Sequence, residues 1–186
     1  RNNSYYYEYW KVSNHMSTLS VDTIQGQTTA ANVKLPAGSI LQTTTSVSHG
    51  SYVNTNSSSL VASGQIATIT PKYNNSIIMI YFSASFTSID SNAGGGTAMK
   101  FYKSVGGGAY SVVTGMASSA QSGFLEYNSN ASSYNHSVGT MMVSDSPATT
   151  SAINYQLYLA RVGSSGNAAV QRDWGGAHFH LMEISQ

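Results

Sequence analysis

The sequence predicts an all-β fold: an antiparallel, jelly-roll-like β-sandwich of about eight to ten strands behind an extended N-terminal arm. Three observations predict it. Short segments alternate apolar and polar residues, as half-buried strands do. Glycine-rich turns separate these segments, and glycine supplies the positive φ that tight hairpins need. The longest helix-compatible stretch, residues 117–121, is short and rich in serine.

The composition describes a folded, polar chain with little charge. Ser, Thr, Asn and Gly account for 32, 16, 14 and 17 of the 186 residues, whereas only 15 are Asp, Glu, Lys or Arg. Disordered chains are poor in aromatic residues, so the 13 Tyr, 5 Phe and 2 Trp indicate a core. Such a chain offers many hydroxyls and amides but few acids and bases, which favours binding or assembly over catalysis.

The charge balance also narrows the choice of partners. The net charge is +1, and the closest basic pair is Lys100 and Lys103, whereas phosphate recognition needs several clustered cations. The longest strongly apolar run, residues 77–82, is far shorter than a membrane span. Without cysteine there are no disulfides or thiolate metal sites. We therefore expect no nucleic acid, no membrane insertion, no signal peptide and no cofactor.

The N-terminal segment differs from the rest of the chain. Residues 1–11 contain five aromatic residues and three charges, and a short strand signal follows at Leu19 and Val21. A polar linker and the turn Leu35-Pro36-Ala37-Gly38 come next. We therefore predict an arm or connector over residues 1–38 and a sandwich head domain over residues 39–186.

Residues 77–86 are the strongest predicted strand. One face of this strand is apolar throughout, and the other carries Ile77, Met79 and Tyr81 before it turns polar. A strand that is apolar on both faces is central and covered on both sides. We expect a second sheet on one side, and a neighbouring subunit against Ile77, Met79 and Tyr81.

Weaker alternation predicts the remaining strands. In chain order these lie at 40–48, 66–69, 97–104, 109–114, 123–127, 138–144, 153–162, 168–172 and 177–184. Most of them end at turn residues, Pro71 and the Gly106-Gly107-Gly108 run among them. Many short strands joined by such turns are typical of an antiparallel sandwich.

Several segments resemble those of a known group of proteins. They are MSTLSVDTIQG at 16–26, LPAGSILQ at 35–42, ITPK at 69–72 followed by IIMI at 77–80, SPATTS at 146–151 and LMEI at 181–184. In order and spacing they resemble the fibre and minor structural proteins of tailed phages, aquatic phages especially. The resemblance covers about residues 16–186. It implies a virion protein on the particle surface, often a tail-fibre or appendage domain and usually a homotrimer, with no catalytic residue.

Four aromatic residues are candidates for ligand binding. Tyr110, Tyr127, Tyr134 and Trp174 fall in or beside predicted loops, flanked by Ser, Asn or Gly. Exposed aromatic rings at loops often anchor a ligand, and sugars combine ring stacking with hydrogen bonds to amides and hydroxyls. We therefore predict a non-enzymatic head domain that attaches to a host-surface glycan. The structural alternative is that each tyrosine buries its ring in a strand and keeps its hydroxyl in water.

A second function stays open beside the first. The chain could be a capsid decoration or other assembly protein that inserts its Tyr-rich arm into a neighbour. Five aromatic residues are costly to leave in water, which favours docking on a partner. In both interpretations other virion proteins are partners of residues 1–38.

Metal binding and hydrolysis are the remaining alternatives. His178 and His180 share one strand face about 7 Å apart, and could surround a metal on a threefold axis; packing in the last strand is the simpler interpretation, and we predict no metal. Glycosidases need two carboxylates around one bond, but the seven carboxylates here are scattered. Glu126 and Asp173, each next to an aromatic residue, are the best candidates, and we predict no enzyme.

Overall fold

The described part of the computed structural model consists of residues 35–49, 52–89, 95–116, 124–128, 135–163, 166–171 and 176–186. These residues belong to one compact unit, Leu35–Gln186. They form eleven strands and no helix, which confirms the predicted all-β fold. No helix in this described part is long and apolar enough to cross a membrane.

The strands follow one another through the unit and pair antiparallel throughout. Their bounds are β1 Ile40–His49, β2 Val53–Thr55, β3 Val61–Ile69, β4 Ile77–Ile89, β5 Gly95–Val105, β6 Ser111–Val112, β7 Phe124–Asn128, β8 Asn135–Asp145, β9 Ile153–Val162, β10 Asn167–Val170 and β11 Gly176–Ile184. The predicted strand 153–162 matches β9, and most of the others differ from the predicted bounds by one to three residues.

The first sheet, here the β4 sheet, is built around its longest strand. Along one edge of β4 lie β11 and then β10, and along the other lies β8. Outside β11 lies β1, and outside β10 lies β2. The long strands are therefore in the order β1-β11-β4-β8, and the prediction that β4 is central is confirmed.

The second sheet, here the β5 sheet, has the order β3-β9-β5, with β7 and β6 along the far edge of β5. Gly106 and Gly107 connect β5 to β6 with positive φ angles of 58° and 79°. Two such residues in succession give the turn that matches the twist of a hairpin. In β3 a bulge between Ala62 and Ile66 shifts the register against β9.

The hydrophobic core lies between the two sheets. Alternation along β4 makes one face of the strand fully buried: Ile78, Ile80, Phe82, Ala84 and Phe86 are each at most 2% exposed. The Phe82 ring lies 6.2 Å from the ring of Phe101 on β5 and 5.1 Å from that of Phe179 on β11. The predicted packing of this face against a second sheet is therefore confirmed.

The start of the compact unit is tied to its last strand. The Gly38 amide donates to the Ser185 carbonyl at 2.8 Å, and the Ser185 amide donates to the Ser39 carbonyl at 2.9 Å. The turn that the sequence assigns to the connector is thus part of the head, which begins at Leu35. Residues 1–34 of the predicted arm lie outside the described residues.

Candidate functional site

Three partly exposed tyrosines meet on the outer face of the β5 sheet and form what we term the tyrosine cluster. Tyr102 on β5 and Tyr158 on β9 are diagonal neighbours, because Lys100 lies opposite Tyr158 and Tyr102 lies opposite Gln156. Diagonal pairs across antiparallel strands are within reach of aromatic rings. The two rings stack with centroids 4.0 Å apart at an angle of 23°. The third ring, that of Tyr110, lies 6.0 Å from Tyr158 at 50°.

Paired strands position the backbone of these tyrosines. The strands β5 and β9 pair along ten residues, from Gly96 to Val105, in the middle of the sheet. Tyr110 directly precedes β6, which pairs with β5 at Tyr102 and Lys103. Each ring is therefore carried by a strand or by a residue next to one.

Burial determines the electrostatics of this face. Burial raises the pKa of the Tyr158 phenol, and the hydroxyls of Tyr110 and Tyr102 raise it further, so Tyr158 is neutral at physiological pH. Lys100, opposite Tyr158, is fully buried, and its burial lowers the pKa of the ammonium group. The face consequently presents aromatic rings and neutral hydroxyls without an exposed cation from Lys100.

The opposite outer face, on the β4 sheet, has a patch of apolar side chains on its central strands; we term it the apolar face. Ile77, Met79 and Tyr81 lie there, half-buried, as the alternation of β4 requires. Register places Ile77 opposite Ile184, and Met79 opposite Met182, on β11. On the other side Tyr81 lies opposite Met142 of β8, which is 60% exposed.

Polar groups on the apolar face carry no fixed charge. The described outward positions of β1, β4, β8 and β11 contain Ser, Thr and His beside the apolar residues, and no Asp, Glu, Lys or Arg. His180 Nδ1 is 3.0 Å from Thr45 Oγ1, and its ring lies 5.9 Å from that of Tyr81. Such a face can be covered by another apolar surface without removing a salt bridge from water.

Two imidazoles lie side by side on this face. The rings of His178 and His180 are nearly parallel, at 7°, with centroids 6.3 Å apart. Among the described residues no group of three or more His, Asp or Glu side chains is placed to hold a metal.

Two carboxylates have described side chains, and both are buried structural anchors. Glu183 accepts from Gln42 Nε2 at 2.6 Å, from Ser76 Oγ at 2.6 Å, and from the amides of Lys72 and Tyr73 at 2.7 and 3.2 Å. It thereby ties the β3–β4 connection to β11. A buried carboxylate that accepts four hydrogen bonds stabilises the fold.

The second anchor joins the two sheets. Asp145, at the end of β8, accepts from Lys103 Nζ at 2.8 Å through both oxygens, and from the Tyr155 hydroxyl at 2.8 Å. Its side chain is fully buried, whereas that of Lys103 is 13% exposed. Burial, then the charge of Asp145 and the hydrogen bond to it, raise the pKa of Tyr155. The anchor links β8 of one sheet to β5 and β9 of the other.

The four predicted ligand-binding residues have different outcomes. Tyr110 belongs to the tyrosine cluster. Tyr127 lies in β7 opposite Gly96, and its side chain is outside the described residues, as are Tyr134 and Trp174. Two carboxylates were candidates for catalysis. Glu126 lies opposite Thr97 of β5, and its side chain is outside the described residues, as is all of Asp173.

Sequence reasoning missed two of the three ring partners. Tyr102 and Tyr158 lie inside predicted strands, where a tyrosine is ordinarily half-buried. The alternation of these strands assigns Tyr102 and Tyr158 to outer faces, because Phe101 and Leu157 next to them are core residues. Their meeting still depends on the pairing of strands more than fifty residues apart, which no local pattern indicates.

No protein-family model matches the chain, and no curated protein matches it.

Proposed function

We propose that this chain is a structural protein of a bacteriophage virion. Residues 35–186 would form the head domain of a tail fibre or appendage, on the particle surface, that attaches to a host glycan without catalysis. The observation that carries the proposal is the contrast between the two outer faces of one sandwich. An apolar face without Asp, Glu, Lys or Arg suits assembly, and an aromatic cluster on the opposite face suits contact with a ligand.

The strand order supports the finer description of the fold as a jelly roll. Along the chain, β1, β4, β8 and β11 enter the β4 sheet, and β3, β5, β7 and β9 enter the β5 sheet. The orders β1-β11-β4-β8 and β3-β9-β5-β7 are those expected when a four-pair antiparallel ribbon wraps into two sheets. Jelly rolls with two Greek keys are frequent in viral structural proteins.

A homotrimer is the proposed assembly, with Ile77, Met79 and Tyr81 at the subunit interface. These residues are continuous with Met142, Met182 and Ile184, so the apolar face extends over three strands. Contiguous apolar patches on a protein surface mark interaction sites. A face without Asp, Glu, Lys or Arg can be buried around a threefold axis, because identical charges from the three subunits would otherwise meet there.

Trimerisation would also explain how weak ligand sites can attach a virion. Three heads present three copies of each site, and once the first site is engaged the others act at high effective concentration. The individual affinity can therefore remain low. The predicted sites Tyr110, Tyr127, Tyr134 and Trp174 would serve in this way.

Adsorption to cells tests the proposal. Fluorescently labelled chain is mixed with a panel of aquatic bacteria, and bound label is measured with and without the surface polysaccharide purified from each strain. We expect binding to at least one strain, competed by that strain's own polysaccharide and not by the others. Binding to no strain, or binding that no polysaccharide competes, contradicts the proposal.

The alternative, a capsid decoration protein, rests on the five aromatic residues within residues 1–11. Deletion of residues 1–15 separates the two functions. A fibre head retains cell adsorption after the deletion, whereas a decoration protein loses incorporation into the virion.

A further inference from the structure

The geometry points to the tyrosine cluster, Tyr102, Tyr110 and Tyr158, as a binding platform for a neutral oligosaccharide. This inference rests on the proposed attachment function and deepens it by naming the site and the class of ligand. Only Tyr110 is predicted from the sequence; the platform requires the stacked pair on β5 and β9.

The arrangement of the rings supplies the stacking surface. Tyr102 and Tyr158 lie nearly parallel, and Tyr110 is inclined at 50° to Tyr158. All three are partly exposed. Two inclined aromatic surfaces form a corner, at which a sugar could place its C–H side on a ring and its edge against the hydroxyls. Rigid aromatic rings lose little conformational entropy on binding.

Neutral hydrogen-bonding groups border the rings. Opposite Tyr102 lies Gln156, which is buried. The accessible groups are those of the next outward pair on the same face, Asn154 of β9 with Thr68 of β3. The Thr68 hydroxyl donates to Asn154 Oδ1 at 2.7 Å, which leaves the Asn154 amide nitrogen as a donor at this border. Amides and hydroxyls beside an aromatic surface match the alternating polar and apolar edges of a pyranose.

The charge of the face selects the class of saccharide. Among the described outward residues of β3, β5, β6 and β9, Lys100 is the only Asp, Glu, Lys or Arg. Its side chain is fully buried. An acidic polysaccharide would lose hydration of its carboxylates without gaining an exposed cation. A neutral saccharide has no such cost. The same absence of exposed cations disfavours a nucleotide or a nucleic acid.

Calorimetric titration of the full chain tests the platform. The probes are maltohexaose, cellohexaose, mannohexaose and laminarihexaose, with hexagalacturonate as the acidic comparison. We expect at least one neutral hexasaccharide to bind, and Tyr110→Ala to weaken it about tenfold or more, as the loss of an anchoring ring does. Tyr110→Phe keeps the ring and should stay within about twofold of wild type.

The matched control is Tyr52→Ala, which removes a tyrosine that is 44% exposed and lies just before β2 in the other sheet. It should leave the affinity unchanged. Absence of binding by every neutral probe, equal binding of hexagalacturonate, or equal losses in Tyr110→Ala and Tyr52→Ala would overturn the inference. So would a change of native mass in Tyr110→Ala, because the cluster would then be a contact between copies.

Cell adsorption distinguishes failure of the platform from failure of the proposed function. If wild-type chain and Tyr110→Ala adsorb equally to the same strain, the platform is wrong and attachment through another site stands. If neither adsorbs to any strain, the attachment function itself is wrong. Loss of adsorption in Tyr110→Ala, but not in Tyr52→Ala, supports both.

Discussion

The outer face of the β4 sheet and the outer face of the β5 sheet cover the same core with different chemistry. The first carries Ile77, Met79 and Met142, which are flexible or aliphatic and make few directional contacts. The second carries three tyrosines whose rings lie against one another. Methionine adapts to an irregular partner surface, whereas clustered tyrosines present a defined shape with hydroxyls. Under the proposed function, one sandwich would thus assemble through one face and bind its ligand through the other.

The two faces share a lack of exposed formal charge. The described part of the apolar face has no Asp, Glu, Lys or Arg, and the one such residue on the face with the tyrosine cluster, Lys100, is buried. If the apolar face is the one that is covered on assembly, an introduced charge should act strongly there and weakly on the other face.

The largest expected effect is the loss of assembly on placing a charge in the apolar face. In Met79→Glu, association would have to bury a carboxylate without a partner, which costs several kcal/mol. We expect the assembly to dissociate into single chains, measured by light scattering at constant concentration. Met142→Glu, at a residue 60% exposed, should do the same with less risk to folding.

The control places the same charge on the other face. Thr68→Glu changes an exposed residue on β3 and should leave the native mass unchanged. Circular dichroism verifies that each variant is folded. If Met142→Glu is folded and keeps the wild-type mass, the apolar face is not the subunit interface.

A smaller effect, on folding stability, is expected when the Lys103–Asp145–Tyr155 anchor between the two sheets is disrupted. Asp145→Asn leaves Lys103 without its carboxylate in a largely buried position. Removal of one partner of a buried ion pair destabilises by about 3–5 kcal/mol, and we expect the lower end because Lys103 is 13% exposed. Urea unfolding measures the loss.

The double variant Lys103→Met with Asp145→Asn provides the matched test of that anchor. It removes both charges, and the side-chain amide oxygen introduced at position 145 can still accept from the Tyr155 hydroxyl. Part of the stability should therefore return. If the double variant is less stable than Asp145→Asn, an unpaired buried charge is not the cause of the loss.

The smallest expected effect is on how folding stability changes with pH under alkaline conditions. Burial and Asp145 raise the pKa of Tyr155 in the folded state, whereas an unfolded tyrosine titrates near pH 10. Above about pH 10 the folded state therefore holds a proton that the unfolded state has lost, and stability falls as pH rises. One such residue contributes a slope of about 1.4 kcal/mol per pH unit.

Tyr155→Phe isolates this contribution. At pH 8 the variant should be less stable by about 1 kcal/mol, because the hydrogen bond to Asp145 is lost. Between pH 10 and 11 its stability should fall less steeply than that of wild type. If the free energy of unfolding falls equally steeply with pH in both proteins, the Tyr155 pKa does not cause the loss of stability above pH 10.

The local alternation of apolar and polar residues was enough to predict the core-facing side of the central strand. In β4 the two periodic faces separate Ile78 and Phe82, which are core residues, from Met79 and Tyr81, which are half-buried outside it. A period of two places side chains reliably when the apolar run is long. The glycine turn at Gly106 and Gly107 was predictable for a similar reason, since the conformation with positive φ strongly favours glycine.

Non-local pairing limited the prediction of the site. Tyr110 was recognisable from its loop context, but its ring partner Tyr158 comes 48 residues later in the chain and is brought near by the register of β5 with β9. The Lys103–Asp145–Tyr155 anchor has the same origin, because its members come from three strands. Interactions that depend on sheet order cannot be inferred from one strand at a time.

The native mass of the purified full chain tests the proposed homotrimer. Light scattering with size-exclusion chromatography gives the mass without reference to shape. We predict three times the 19.7 kDa chain mass, held at micromolar concentration and lost in Met142→Glu. A single-chain mass for the wild-type protein would contradict the trimeric head and would favour a decoration protein that assembles only on the virion.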